Sequence, residues 1–354
     1  MAVLYGFHSL QDVLDNRAAS IDQDILSDAI RSAVAAHNAD LNAGIQLLAN
    51  KQTTEPQIGV NQMAEGELQG LDEWGRPLPR RTPPPVSRYA PIFMAGDSIA
   101  TNYVLEQKMT VQEVQDRLQS VLLADTKWNR RQMLSALFTN TSYNFTDPQY
   151  GTLAISTLAN GDTETYLRAN SGAASVDTHH KGNATFTEAV LTDMRSELIE
   201  HDENGGDTAQ VVVFVPTASK ATVQGFTNHA DSADPNMTYG TGTSQYTGSF
   251  AATAPGTPFG YNTEAQVHLR EWNKLPADYA IAVTDSGLSP LLYREDPEVS
   301  LQGFHEIPGR ENIPYLQRIW IRRRGYAAFN RVGAVVYRTN NGTYAAPSGY
   351  TLPS

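Results

Sequence analysis

Apolar positions recur at helix-face spacing from Thr110 to Thr139, the longest such run in the chain. Val111, Val114, Leu118, Val121, Leu122, Trp128, Leu134, Leu137 and Phe138 carry it, and no Gly or Pro interrupts it. Glu113 and Asp116 near its start, with Lys127, Arg130 and Arg131 later, suit the helix macrodipole. Such a helix would be about 45 Å long. Asp125 interrupts the stripe and marks a place where the helix bends or faces a neighbour.

Before this helix the pattern is weak. Ser20 to Asn50 predicts a helix with Ser20 as N-cap and Asp22 and Asp24 in its first turn, broken near Asn38–Gly44. Residues 51–105 are polar and Pro-rich. Trp74-Gly75-Arg76-Pro77 is a turn signal, Thr82-Pro83-Pro84-Pro85 a stiff extended piece, and Val86–Met94 a strand. The segment predicts a long extended excursion, an irregular hairpin with its tip near Gly70–Pro77. Compact domains rarely carry so long a weakly structured insert without a use for it.

After the helix, Gly151–Leu158 and Glu164–Arg168 predict short strands, and Asn183–His201 a second helix with Phe186, Val190, Met194 and Leu198 on one face. Thr208–Pro216 is a continuous apolar run, the signature of a strand buried on both faces. Thr217–Phe226 can open a short helix. Residues 228–263 are rich in Gly, Thr, Ser and Ala and predict a mobile surface loop. Its GTGTSQYTGS run lacks the Lys-Ser/Thr ending of a phosphate-binding loop. Ala265–Leu269, Tyr279–Thr284, Gln317–Arg324, Tyr326–Phe329 and Val332–Arg338 predict strands, followed by a frayed tail. These elements make an α+β fold.

The 354 residues suffice for one large or two to three ordinary domains, and 40% hydrophobic content supports a sizeable core. A net charge of −12 argues against nucleic-acid binding by overall charge. The absence of cysteine excludes disulfides, thiolate metal sites and a Cys nucleophile. No stretch approaches the length of a membrane span, and the first 20 residues lack a signal-peptide pattern.

The chain shows no nucleophile elbow, Walker loop, dinucleotide fingerprint or kinase signature. No catalytic residue, cofactor or metal ligand is therefore assigned. His179-His180 is the only close histidine pair. A metal there would need carboxylates such as Asp177 or Glu188 to converge, and the expectation is that both rings serve packing or a loop. Arg318, Arg322, Arg323, Arg324, Arg331 and Arg338 form the strongest charge cluster. On a strand, Arg322 and Arg324 share one face and Arg323 takes the other. Ion pairs to a neighbouring element or subunit fit an acidic chain better than a nucleic-acid stripe. Arg80, Arg81 and Arg88 raise the same choice, and there pairing between subunits is the more natural expectation.

The order of parts, with His179-His180-Lys181-Gly182-Asn183 before a helix, Val211-Val212-Val213-Phe214-Val215-Pro216, and Arg322-Arg323-Arg324-Gly325-Tyr326-Ala327 leading to Asn330-Arg331, resembles the major capsid protein of tailed bacteriophages, with the Hong Kong ninety-seven fold. The resemblance covers almost the whole chain. It implies an N-terminal arm (1–50), an extended loop (51–105), a peripheral domain (106–207) with the 110–139 helix as its spine, an axial domain (208–305), and C-terminal strands (306–354) returning to both. It implies self-assembly through hexamers and pentamers into an icosahedral shell around double-stranded DNA, held without sequence-specific binding. The implied setting is a virion capsid assembled in host cytoplasm, with no membrane.

A scaffold protein, a portal and a decoration protein are the implied partners. Candidate inter-subunit contacts are Trp74, Arg76, Arg80, Arg81, Arg88, Asp125, Arg130, Arg131, Arg322 and Arg324. Some capsids of this fold cross-link through a loop lysine, but residues 52–107 contain none, so closure is expected to be non-covalent. An encapsulin-type compartment shell, and a hydrolase using His179, His180 or carboxylates, are the alternatives.

Overall fold

The apolar stripe of 110–139 folds as a single continuous helix. The structure, a computed structural model, describes residues 23–60, 73–75, 85–102, 108–168, 174–201, 204, 206, 209–231, 255–284, 288–307 and 315–352. Its helices are α1 (Gln23–Ile45), α2 (Val111–Phe138), α3 (Glu188–Ile199) and α4 (Thr217–Gln224). The chain divides into two units. The first comprises residues 1–43, 92–131 and 295–324, the second 44–91, 132–294 and 325–354.

In the first unit, Ile30 and Val34 of α1 meet Leu118 and Val121 of α2, with Phe304 and Trp320 completing the core. The strands are β4 (Phe93–Asn102), β16 (Phe304–Ile307) and the first ten residues of β17 (Tyr315–Ala328). β17 lies between β4 and β16, antiparallel to both, and pairs with β4 without a register break from Tyr315↔Asn102 to Arg324↔Phe93. Trp320, Arg322 and Arg324 alternate onto one buried face while Arg323 is partly exposed, as a period of two requires.

The predicted break near Asn38–Gly44 is absent, because the residues that would disfavour helix have tertiary work. Asn38 Nδ2 donates to the Phe304 carbonyl (3.0 Å) and its Oδ1 accepts the Phe304 N–H (2.9 Å). Asparagine costs a helix a few tenths of a kcal/mol, and two partly buried hydrogen bonds offset that. The neighbouring Gly303 has φ +73°, and an added Cβ would sit 3.1 Å from Asn38 Nδ2. Only glycine allows this approach in that conformation without strain.

The second unit is built on a seven-stranded sheet ordered β11 (His229–Asp231), β12 (Thr257–Asn262), β13 (Val267–Glu271), β10 (Val211–Val215), β14 (Tyr279–Thr284), β18 (Ala334–Arg338), β9 (His180–Gly182). β10–β13 and β18–β9 are parallel and the other pairs antiparallel. Every residue of β10 and β14 is buried, which explains their uninterrupted apolar runs. Val190, Leu191, Met194 and Leu198 of α3 pack on that sheet. Around it lie β1 (Ala49–Thr53), parallel to β15 (Leu291–Glu295), and three antiparallel pairs. These are β2 (Gln57–Val60) with β3 (Val86–Tyr89), β5 (Tyr143–Asp147) with β6 (Gly151–Ile155), and β7 (Asn160–Leu167) with β8 (Ala174–Thr178).

Several predicted segments are redrawn. Val86–Met94 is not one strand: β3 ends at Tyr89, Pro91 has no N–H to give to a ladder, and β4 begins at Phe93. Gln317–Arg324 and Tyr326–Phe329 are one strand through Gly325. The 228–263 stretch begins and ends as paired strands β11 and β12, and its middle lies outside the described residues. The β2–β3 pair agrees with a hairpin in the 51–105 segment, whose expected tip is described only at 73–75.

The tail after Arg338 is not frayed. Tyr344 Oη donates to the Phe138 carbonyl (2.6 Å), Tyr279 Oη to the Ala345 carbonyl (2.6 Å), and the Leu352 N–H to Thr139 Oγ1 (3.0 Å). Gly182 makes room for it, since a Cβ there would lie 2.6 Å from the Asn341 carbonyl oxygen.

Candidate functional site

The chemistry-bearing residues gather into three buried polar centres and one exposed set. The first centre lies in the first unit. Arg322 donates from Nε to Asp125 Oδ1 (2.6 Å) and from Nη2 to Asp125 Oδ2 (2.7 Å), a two-bond clasp, and from Nη2 to Asn38 Oδ1 (2.7 Å). His37 Nε2 donates to Asp125 Oδ2 (2.8 Å). Two residues on, Arg324 donates to Glu295 and to Asn42 Oδ1 (2.9 Å). The spacing is geometric. Four helix residues advance about 6 Å and two strand residues about 6.7 Å, so Asn38 and Asn42 of α1 keep step with Arg322 and Arg324 of β17. Burial alone would raise the Asp125 carboxyl. Hydrogen bonds from His37 and Arg322, and their charges, outweigh it and hold the carboxyl below its ordinary value.

The second centre lies in the second unit, where two arginines converge on Glu164. Arg88 Nη1 donates to Glu164 Oε2 (2.8 Å) and its Nη2 to Oε1. Arg331 Nη1 donates to Glu164 Oε2 (2.6 Å), its Nη2 to Asp162 Oδ2 (2.6 Å), and its Nε to the Thr157 carbonyl (2.5 Å). Burial would raise Glu164, but the two guanidinium groups lower it. Nearby, Arg294 Nη1 donates to Asp147 Oδ2 (2.8 Å) and to the Ala90 carbonyl (3.0 Å).

The third centre joins the end of β8 to the end of α3. His201 Nε2 donates to Asp177 Oδ2 (2.8 Å), and His179 Nε2 lies 3.5 Å from the same oxygen. Burial would lower the His201 imidazole, but Asp177 and the Leu167 carbonyl raise it. His180 sits apart, its Nε2 on the Leu137 carbonyl (2.9 Å), and burial pulls it down to about 4.

The fourth set is exposed. Trp74 has 75% of its surface in solvent, Arg131 is exposed and Arg130 half-buried. Arg76, Arg80 and Arg81 lie outside the described residues. Of the ten expected contact residues, Arg88, Asp125, Arg322 and Arg324 therefore have buried partners inside the chain. For Arg88 in particular, the β2–β3 pairing turns its side chain onto β7, so its charge is met by Glu164 rather than left at the surface. Arg318 faces Glu306 (3.7 Å), and Arg323 faces Asp296. The choice between pairing and a nucleic-acid stripe thus resolves into pairing for five of the clustered arginines, Arg318, Arg322, Arg323, Arg324 and Arg331.

Their partners Glu295, Asp162, Glu164, Asn38 and Asn42, and the histidines His37 and His201, were not singled out by sequence. Only Asp177 and His179 carried a local signal, since residues two apart on a strand share a face. His179 and His180 are 0% and 5% exposed. Neither ring lies in the open cleft that a hydrolase built on them would need.

The elements form the Hong Kong ninety-seven phage-capsid fold, a mixed α+β architecture with a long central helix. The solved structure of Mycobacterium phage Patience is similar over 99% of this chain and 98% of that one, with a TM-score of 0.70 and 18% sequence identity. Less similar are the capsid of the native GTA particle (TM-score 0.48, 12% identity, 85% of this chain and 91% of that one) and the holo-SrpI encapsulin complex from Synechococcus elongatus (TM-score 0.43, 12% identity, 84% and 87%). No family model matches the chain, and no curated protein matches it.

Proposed function

We propose that this chain is the major capsid subunit of a tailed bacteriophage, assembling with copies of itself into an icosahedral shell around double-stranded DNA. The observation that carries the reading is the fold shared with the Mycobacterium phage Patience chain along nearly the full length of both. Physical features of this chain support it. Its clustered arginines Arg318, Arg322, Arg323, Arg324 and Arg331 are paired with carboxylates inside the subunit and its net charge is −12, so packaged DNA would not be gripped by the wall. The ion pairs of the first two centres are buried and join distant segments of the subunit, which suits a building block rather than a catalyst.

Residues 1–50 would serve as the arm, 51–105 as the loop reaching an adjacent subunit, 106–207 and 208–305 as peripheral and axial domains, and 306–354 as returning strands. Trp74, Arg76, Arg80, Arg81, Arg130 and Arg131 remain the contact residues of choice. A scaffold protein would set the size of the shell, a portal would occupy one vertex, and assembly would take place in host cytoplasm.

Electron microscopy of the purified chain, alone and with a candidate scaffold protein, tests the reading. Closed icosahedral particles are expected, and particles from infected or lysogenic cells should hold nuclease-resistant DNA. Particles filled with protein cargo and free of DNA would move the assignment to an encapsulin-type compartment. Monomers under every assembly condition would overturn the shell itself.

A further inference from the structure

The buried centre at the end of β8 has the donor set of a metal site. Asp177 and His179 leave one strand face, and Glu200 and His201 close the C-terminal end of α3. His179 Nδ1 donates to the Ala334 carbonyl (2.9 Å) and His201 Nδ1 to the Leu167 carbonyl (2.9 Å). A backbone carbonyl on Nδ1 fixes that nitrogen as the donor, so Nε2 offers a lone pair to a metal once His201 gives up the proton it shares with Asp177, the usual outer-shell arrangement of a metal-binding histidine. Both Nε2 atoms point at one oxygen, Asp177 Oδ2, at 2.8 and 3.5 Å, and the two rings are 5.6 Å apart and 34° from parallel.

Two atoms in this cluster lack a hydrogen-bond partner, and Glu200 Oε1 has only the longer ion-pair contacts to Arg168 and His201. His179 Nε2 belongs to a ring with no exposed surface and has no hydrogen-bond partner. Glu200 Oε1 is likewise buried without a hydrogen-bond partner, 3.6 Å from His201 Nε2 and 3.5 Å from Arg168 Nη2. A native interior rarely leaves such groups unsatisfied. We propose that His179 Nε2, His201 Nε2 and Asp177 Oδ2, which lie within 4.8 Å of one another, bind one divalent cation of the zinc class, with the neighbouring Glu200 carboxylate turning in as the fourth donor.

The geometry is close to what zinc requires. Bonds of about 2.0–2.2 Å to nitrogen and oxygen place tetrahedral donors about 3.4 Å apart. The 3.5 and 3.6 Å separations already match, and the 2.8 Å pair must open by about 0.6 Å, which loss of the shared proton would favour. Two imidazoles and two carboxylates suit zinc better than calcium or magnesium, which take oxygen ligands almost exclusively. With Glu200 turned in as the fourth donor the site would be closed and therefore structural. The ion would tie the β7–β8 hairpin to the end of α3, 24 residues apart between Asp177 and His201. The Glu200 side chain, 15% exposed, offers the way in.

The test uses the untagged full-length chain, stripped with chelator, reloaded with zinc or cobalt(II) and gel-filtered. One zinc per chain by elemental analysis is expected, together with an intense tetrahedral cobalt(II) visible spectrum and a rise in Tm that chelator reverses and magnesium does not reproduce. His179→Gln and His201→Gln should each weaken binding about 100-fold or more, since even outer-shell losses cost 10–100-fold. Circular dichroism checks that the variants fold. Should they fail to fold, the wild-type cobalt spectrum decides. Substoichiometric zinc, an octahedral cobalt spectrum, or unchanged affinity in both folded variants would overturn the proposal and leave a plain His201–Asp177 ion pair. None of these outcomes depends on the shell reading.

Discussion

Asp125 is a residue on which several of the first unit's polar bonds meet. It holds Arg322 through two buried bonds and His37 through a third, partly buried one. Asp125→Ala would leave a buried guanidinium without its counter-charge, a loss of about 3–5 kcal/mol, read as a lower urea midpoint. Replacing both partners by apolar residues of similar size, Asp125→Leu with Arg322→Met, should recover most of that loss.

The pH dependence follows from the direction of the Asp125 shift. A carboxyl lowered in the folded state contributes stability that is complete above its unfolded pKa of about 3.9 and is lost as pH falls through the lower folded value. Wild type should therefore lose stability below about pH 4 more steeply than Asp125→Asn does. Equal slopes in urea titrations at pH 7 and pH 3 would sink this account of the bond. The shared face of Arg322 and Arg324 was legible from their spacing, because a strand's period is local. Their partners were not, because Asp125 lies 197 residues away and any of the chain's carboxylates would have served equally well on paper.

At the scale of elements, helices were the most legible because periodicity and capping are both local. The 110–139 stripe became α2 with its ends moved by one residue. Its start is closed reciprocally: the Glu113 N–H donates to Thr110 Oγ1 (3.3 Å) and the Thr110 N–H to Glu113 Oε2 (3.0 Å). Thr110→Ala should lower stability by about 1 kcal/mol, and adding Glu113→Ala should cost less than a second full increment, since the two bonds form one cap. A differential-scanning series of the two single variants and the double variant checks this.

What could not be read were features decided by distant chain. Asn38 and Asn42 read as helix breakers until Phe304 and the arginines of β17 are placed beside them. The tail read as frayed because its anchors, Phe138, Thr139 and Gly182, are more than 150 residues upstream. The hairpin yields a sharper test of the loop. Removing 60–95 outright would take out β3, Arg88 and the buried Ala90 and Ile92, and would damage the fold itself. Val60 pairs with Val86, so residues 61–85 can be replaced by Asn-Gly, a two-residue hairpin turn. That variant should keep near-wild-type thermal stability and fail to close particles. Normal particles would remove the loop from the assembly account.

For the whole molecule, the distribution of charge separates folding from assembly. The chain is acidic, with 26 lysines and arginines against 38 aspartates and glutamates. Much of that positive charge is committed within the units, through Arg88, Arg294, Arg322, Arg324 and Arg331. Like subunits therefore repel unless cations left near the surface meet a neighbour's carboxylates. Arg130 and Arg131 are adjacent on α2, the first half-buried and the second exposed, and are candidates for that contact surface.

Reversing both, Arg130→Glu with Arg131→Glu, makes an acidic chain more so without opening either core. A change at the exposed Arg131 usually costs no more than about 0.5 kcal/mol and one at the half-buried Arg130 somewhat more, so the subunit should still fold, with a modestly lower Tm. Assembly should instead become slower and less complete at low ionic strength. It should partly recover at about 1 M salt, where the Debye length shrinks to about 3 Å and the added repulsion is screened. Light scattering during assembly, followed by micrographs of the product, separates the possibilities. Loss of folding would place the two arginines in the subunit's own architecture. Unchanged assembly at low salt would remove them from the contact surface and leave Trp74 and the loop arginines to account for it.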